Sequence, residues 1–265
     1  MLSRDSESAT LKILAIGDII GKPGREAVGK LLPDLRHEYG IDLVIGNGEN
    51  AAGGLGLTPN TAQELLDYGI DVITSGNHIW NHKEILPYLD GSLPILRPLN
   101  YPAVAPGRGY LLRDNILIVN LIGRVFVGNF DCPFRAMDRL LAEFKDKANV
   151  IIVDFHAEAT SEKVAMGWYL DGRVSALLGT HTHIGTIDAH ILPKGIAYVT
   201  DIGMVGPMDS VIGDDVDSVI NRFLTQVPGR LSVGKGRVVF DSVLVEVNKD
   251  TGKAIGIKRV EKIVD

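Results

Sequence analysis

Short apolar runs that stop abruptly at polar, metal-binding types of side chain recur along this chain. Leu11–Gly17 ends at Asp18, Ile41–Gly46 at Asn47-Gly48-Glu49-Asn50, and Ile70–Ser75 at Gly76-Asn77-His78. Val150–Phe155 ends at His156, and Val174–Leu178 at Gly179-Thr180-His181-Thr182-His183. Runs this short, without regular polar alternation, predict strands covered on both faces.

Between the first three strands the pattern changes to a helical period. Arg25–Tyr39 predicts a helix stopped by Gly40, after a loop Asp18–Gly24. Thr58 is a fitting N-cap for a second helix running to about Tyr68, with Pro59 at its first position. Strand and helix alternating in this way predict parallel pairing.

Further on, Asn81–Leu89 predicts a helix and the proline-rich Gly91–Arg108 a loop. Tyr110–Arg113 and Ile116–Leu121, split by Asp114-Asn115, predict a hairpin. Pro133–Lys147, Ser161–Leu170 and about Asp215–Thr225 predict helices. Strands are predicted at Ile187–Leu192, Ala197–Thr200, Val238–Val247 and Ala254–Ile263, and Met204–Asp209 reads as a loop over the site. The parallel half followed by an antiparallel-rich half predicts an α/β fold with two sheets packed together and helices outside.

Composition narrows the function without defining it. Two hundred and sixty-five residues, 45% of them hydrophobic, supply ample core. A net charge of −6 argues against a broad duplex nucleic-acid surface. Met1–Thr10 is polar and expected to be a flexible leader, with residues 11–265 as one domain. No apolar stretch is long enough to span a bilayer, so a soluble protein is expected. The single cysteine, Cys132, cannot form an intramolecular disulfide and suits the cytoplasm. A homo-oligomer is compatible with the sequence, although no apolar surface stripe marks one.

The strand ends carry the chemistry. In an extended chain residues i and i+2 point the same way, so His181 and His183 can present two imidazoles together. With Asp18, Glu49, Asn50, Asn77, His78 and His156 they form a mixed oxygen and nitrogen set without thiolate. Such a set suits Fe, Mn, Zn or Co better than Ca or Mg. Its size suits two ions, with Glu49 the natural bridge. Taken singly, each residue has an ordinary structural use: Asp18 as a cap, Asn77 in a tight turn, His156 in the core.

Asp18, the loop Gly48-Glu49-Asn50, Gly76-Asn77-His78, His156 and Gly179-x-His181-x-His183, in that order, resemble the calcineurin-like metallophosphoesterases. Ile20 stands where that superfamily usually has a histidine, and Glu49-Asn50 where it has its bridging aspartate. These departures, with Gly53-Gly54, Asp154–Glu158 and Asp201–Met204, are similar to the YmdB-type branch. The resemblance implies a four-layer α/β/β/α sandwich of two mixed sheets with a dimetal site at the strand C-terminal ends. It also implies a di-iron or di-manganese phosphodiesterase for 2′,3′-cyclic nucleotides, the ions being divalent or mixed-valence. Carried over, one ion takes Asp18, Glu49 and His183 with Asn50 close by, and the other Glu49, Asn77, His156 and His181. His78 is left unligated as the general acid, a role suited to an imidazole titrating near neutrality.

Two other readings stay open: a phosphomonoesterase or other ester hydrolase on the same metals, and a nucleotide-sensing protein with little turnover. Gly21–Arg25 could offer a phosphate site or merely a turn into a helix, and Thr160–Lys163 a helix cap or hydroxyls near phosphate. Trp80, Trp168 and Tyr169 are stacking candidates or core. His82 and His190 match no motif position. Asn81 stands where the branch pattern has aspartate.

Overall fold

The computed structural model describes residues 10–265; all but the last residue of the expected leader lies outside the described residues. Two six-stranded sheets face one another. The first has the order β12-β11-β10-β1-β2-β3 and the second β4-β5-β6-β7-β9-β8. In the first sheet these are β1 (Thr10–Ile19), β2 (Leu43–Asn47), β3 (Val72–Thr74), β10 (Met204–Pro207), β11 (Val238–Asn248) and β12 (Ala254–Val264). The second holds β4 (Tyr110–Arg113), β5 (Ile116–Ile122), β6 (Val150–His156), β7 (Ala176–Thr180), β8 (His190–Ile191) and β9 (Ala197–Val199).

Side-chain alternation along β1 shows why its run is apolar throughout. Leu14 and Ile16 face outward, into a core shared with helices α1 (Gly21–Tyr39) and α2 (Pro59–Asp67). Leu11, Ile13 and Ala15 face inward and meet Ile118, Ile152 and Leu178 of the other sheet. On the far face of that sheet, Val119, Val153 and Leu177 pack on α4 (Pro133–Phe144) and α5 (Thr160–Leu170) through Met137, Leu140 and Met166. The result is four layers, helix, sheet, sheet, helix, as expected.

Strands β1, β2 and β3 are parallel, and so are β5, β6, β7 and β9. Their carboxyl ends therefore collect along one edge of the sandwich, where ligands bind in open α/β sheets. The predicted Thr58 cap is present, with Thr58 and Thr61 bonded in a reciprocal box. Asp114 and Asn115 turn the β4–β5 hairpin with φ of 47° and 66°, the left-handed pair that a two-residue hairpin loop needs.

Several local expectations change. Helix α1 starts at Gly21, not Arg25, because Pro23 fits the first turn and the Gly21 N–H is taken by Asn50 O. Asn81–Leu89 is not one helix but a 3₁₀ turn (Lys83–Ile85) and a single α-turn, α3 (Leu86–Leu89), preceded by another 3₁₀ turn at Asn77–Trp80. Met204–Asp209 is not a lid. Its first four residues are the buried strand β10, parallel to β1 with Asp18 opposite Met204.

Candidate active site

Each expected site residue sits at or just beyond a strand's carboxyl end, and the two sheets bring them together. Asp18 is the last residue but one of β1 and is fully buried. It lies after a register shift at Gly17, where a Cβ would stand 2.1 Å from Gly203 O, so the close approach of the two backbones requires glycine. Its Oδ2 accepts from the His181 N–H at 3.0 Å. Its Oδ1 lies 3.8 Å from His183 Nε2 and has no hydrogen-bond partner among the described residues.

Glu49, also buried, is the hub. Its Oε1 is 3.1 Å from His156 Nε2, and its Oε2 accepts from the His78 N–H at 3.1 Å. Asn50 bridges onward, with Oδ1 2.7 Å from His78 Nδ1 and Nδ2 3.2 Å from His183 Nε2. Gly76 is the tightest joint of the site. A Cβ there would lie 2.2 Å from His156 Cδ2 and 2.4 Å from Glu49 Oε2. Asn77 Oδ1 is a second buried oxygen without a partner among the described residues.

The imidazoles are oriented by groups behind them. His156 Nδ1 meets Thr180 Oγ1 at 3.0 Å, and Thr180 in turn donates to Asp154 Oδ1 at 2.7 Å. Asn47 donates across the sheet gap to Asp154 Oδ2 at 3.2 Å. His181 Nε2 faces Glu158 Oε2 at 3.1 Å, and His183 Nδ1 donates to Ile212 O at 2.7 Å. In each ring one nitrogen is engaged from behind. The other is left for the interior: His156 Nε2, His181 Nδ1 or His183 Nε2, the arrangement that fixes tautomers in metal sites. His181 Nδ1 and His156 Nε2 lie 3.0 Å apart.

Burial and charge compete over these groups. Burial pushes the Asp18 carboxyl up, against the pull of His183 and His156. Glu49 is held well below the usual range, because His156 and His78 outweigh its burial. Burial works against a charged His156, yet Glu49 and Asp18 lift it to about 9. Burial beside His156 drops His181 to about 3.

His181 and His183 share a loop with unusual backbone, φ of 100° and 64°. That region is costly for residues other than glycine. A buried ion pair holds the loop. Lys163 Nζ donates to Asp201 Oδ2 and to Thr180 O, and the same Asp201 oxygen accepts from Thr182 N and Oγ1. The Thr160–Lys163 segment thus works through Lys163 and through Glu162, which accepts from the Arg124 and Val125 N–H groups. Arg25 is likewise structural, bound to Glu64 and to Ala51 O. Trp80 packs edge-on against Tyr101, whereas Trp168 and Tyr169 lie outside the cleft. His82 and Asn81 line its wall, and His82 bonds Leu55 O.

Asp154 and Lys163 carry support that the motifs alone did not assign. A charged residue inside the apolar run Val150–Phe155 was the signal for the first. The second gave none, its partner lying 38 residues away.

The arrangement fits a metal. Glu49, His156 and His181 each offer a donor atom within 4.8 Å of the others. Asp18 Oδ1, 3.9 Å from His156 Nδ1, lacks a hydrogen-bond partner among the described residues, and so does the buried Asn77 Oδ1 in the turn after β3, the state that a cation would relieve. The sandwich is that of a metallophosphoesterase. The chain matches the model of the YmdB-like proteins over residues 14–260 and belongs to that family. It is 45% identical over 254 residues to the 2′,3′-cyclic-nucleotide 2′-phosphodiesterase of Bacillus subtilis strain 168, an alignment covering 94% of this chain and 96% of that protein. Among solved structures, a hypothetical protein from Thermus thermophilus superposes with a TM-score of 0.90 at 45% identity, covering 96% of this chain and all of that one. A novel phosphatase from Mycoplasma pneumoniae gives 0.91 at 34% identity, covering 97% and 94%. No helix among the described residues is long and apolar enough to cross a membrane.

Proposed function

We propose that this chain is a metal-dependent phosphodiesterase that opens small 2′,3′-cyclic nucleotides. Asp18, Glu49, Asn50, Asn77, His156, His181 and His183 would hold a pair of cations, iron or manganese, with Glu49 shared. The observation that carries the reading is Asp18 Oδ1, buried without a hydrogen-bond partner among the described residues and 3.9 Å from His156 Nδ1 of the Glu49–His156–His181 cluster. The 45% identity to a cyclic-nucleotide phosphodiesterase adds the substrate class.

A bound cation pair supplies Lewis-acid stabilisation of phosphoryl charge and a water acidic enough to attack at neutral pH. The protein's own part is positioning and proton transfer. Asn50 Oδ1, 2.7 Å from His78 Nδ1, fixes the ring so that Nδ1 carries hydrogen and Nε2 is the nitrogen left for the substrate. A protonated His78 gives its Nε2 proton to the departing ribose oxygen. Water adds to phosphorus, the P–O2′ bond breaks, and a 3′-phosphate with a free 2′-hydroxyl results. Ile20, Leu55, Ile212 and Leu231 line the cleft of about 650 Å³ and suit the sugar and base.

Residues 11–265 act as one metallophosphoesterase domain in this reading. The free thiol of Cys132 suits the cytoplasm. Elemental analysis of protein purified without added metal, paired with turnover of 2′,3′-cyclic AMP, 3′,5′-cyclic AMP and a monoester, tests it. Two equivalents of Fe or Mn and chelator-sensitive opening of the 2′,3′ ring are expected. Turnover of the monoester alone, or no metal after reconstitution, would sink it.

A further inference from the structure

Two hollows meet at the mouth of the cleft. Behind the wall of the first lies a second, of about 510 Å³, lined by Val219, Phe223 and Pro228. Ile212, Asp214, Arg222 and Leu231 belong to both. A mononucleotide over the metal ligands has no use for the second hollow. The two volumes joined at a cationic residue have instead the outline of two nucleosides joined by a phosphate.

The residues at and beside the junction fit that outline. Arg222 and Arg230 are exposed and line the cleft, and among the described residues neither guanidinium is tied into an ion pair or hydrogen bond. Arg25, Arg97 and Arg259, by contrast, are held by carboxylates and carbonyls. Asp214 opposes an anion at the junction, whereas Glu158, an exposed carboxylate of the cleft, faces His181 Nε2 at 3.1 Å. Phe223, in helix α6 (Val216–Thr225), is 77% exposed on the wall of the second hollow. A rigid aromatic face beside a cation is how single-stranded nucleic acid is gripped without reading its sequence.

We infer that the chain takes the 2′,3′-cyclic-phosphate end of a short RNA fragment, with the phosphodiester on the terminal 5′ oxygen at Arg222 and Arg230 and the preceding base on Phe223. The inference rests on the phosphodiesterase reading above. The chemistry at the ring is the same: water enters, P–O2′ breaks, and an oligonucleotide 3′-phosphate leaves. Such ends form when a ribose 2′-hydroxyl attacks its own 3′ phosphodiester, so the supplying reaction is RNA cleavage by transesterification. Net charge −6, with one cation at the junction and a second on the cleft wall, fits one or two phosphates of a short single-stranded end rather than a long backbone track.

Three substrates on the metal-loaded full chain test this: 2′,3′-cyclic AMP, its 5′-phosphorylated form, and the dinucleotide ApA ending in a 2′,3′-cyclic phosphate. The dinucleotide is expected to exceed cyclic AMP in kcat/KM by about tenfold or more, with roughly fivefold or more of that from stacking. Phe223→Ala should bring the dinucleotide down to the 5′-phosphorylated mononucleotide. Arg222→Gln with Arg230→Gln should bring the 5′-phosphorylated substrates towards cyclic AMP. Equilibrium binding of the products, ApAp against 3′-AMP, reads the same preference without turnover. Cyclic AMP opened as fast as the dinucleotide would overturn the inference and leave the phosphodiesterase reading standing. Equal preference for both phosphorylated substrates would place a 5′-monoester there and overturn the RNA end. If no 2′,3′-cyclic ester turned over, both would fall together.

Discussion

Lys163 Nζ lies 2.6 Å from Asp201 Oδ2, and neither side chain reaches solvent. This pair joins helix α5 to the segment after β9, and its carboxylate clamps Thr182 between the two histidines of the His181–His183 loop. Removing one partner of such a pair leaves a buried charge uncompensated. Lys163→Met should therefore lose about 3–5 kcal/mol of stability by urea unfolding, with weakened metal retention. A loss below about 1 kcal/mol would show that Asp201 has another partner.

His78 touches Glu49 and Asn50 but is not among the proposed ligands. His78→Ala should keep the full metal content by elemental analysis while turnover drops about 10²–10⁴-fold. Loss of metal in that variant would assign the ring to the cation site and leave the proton donor to be found.

Gly76 offers a sharper structural test. A methyl group there would strike His156 and Glu49 together, both of them held from behind. Gly76→Ala is expected to fold with its two sheets intact by circular dichroism, but to lose metal and activity. Normal metal binding would mean that the turn shifts freely.

Asp241, which is not among the proposed ligands, gives a pH signature of its own. Burial raises its carboxyl from 3.8 to about 6, although Arg259 Nη2, 2.9 Å away, pulls the other way. A carboxyl whose pKa is higher in the folded protein binds its proton more tightly there. Stability is thus greatest below pH 4 as far as this group is concerned, and falls as pH rises from about 4 to 6. The loss, up to about 3 kcal/mol for a gap of some two pH units, should vanish in Asp241→Asn. Denaturant unfolding of both proteins at pH 4, 5, 6 and 7 measures it; parallel curves would sink the assignment.

Much of this could be read from the chain because the informative signals were local. A buried strand followed by a metal-type residue is a pattern within a few positions, and it places Asp18, Asn77, His156 and His181 at strand ends. The Thr58–Thr61 box and the Asp114–Asn115 turn are equally local. What was illegible depends on distant partners. β10 is four residues long and holds Gly206 and Pro207, so nothing but its pairing with β1 and β11 makes it a strand. The predicted strand Ile187–Leu192 shrinks to His190–Ile191, because Asp188 instead bonds Thr186 and Thr200 in a loop. The Lys163–Asp201 pair is visible only once helix and sheet are assembled.

The left-handed backbone at His181 and His183 has a bearing on how such a chain drifts. Glycine at either place would relax the main chain while deleting an imidazole. The backbone term alone therefore favours discarding both rings. Two of the places where the main chain is ill at ease are thus places whose rings the proposed reaction needs, so reactivity and durability pull on the same pair of residues.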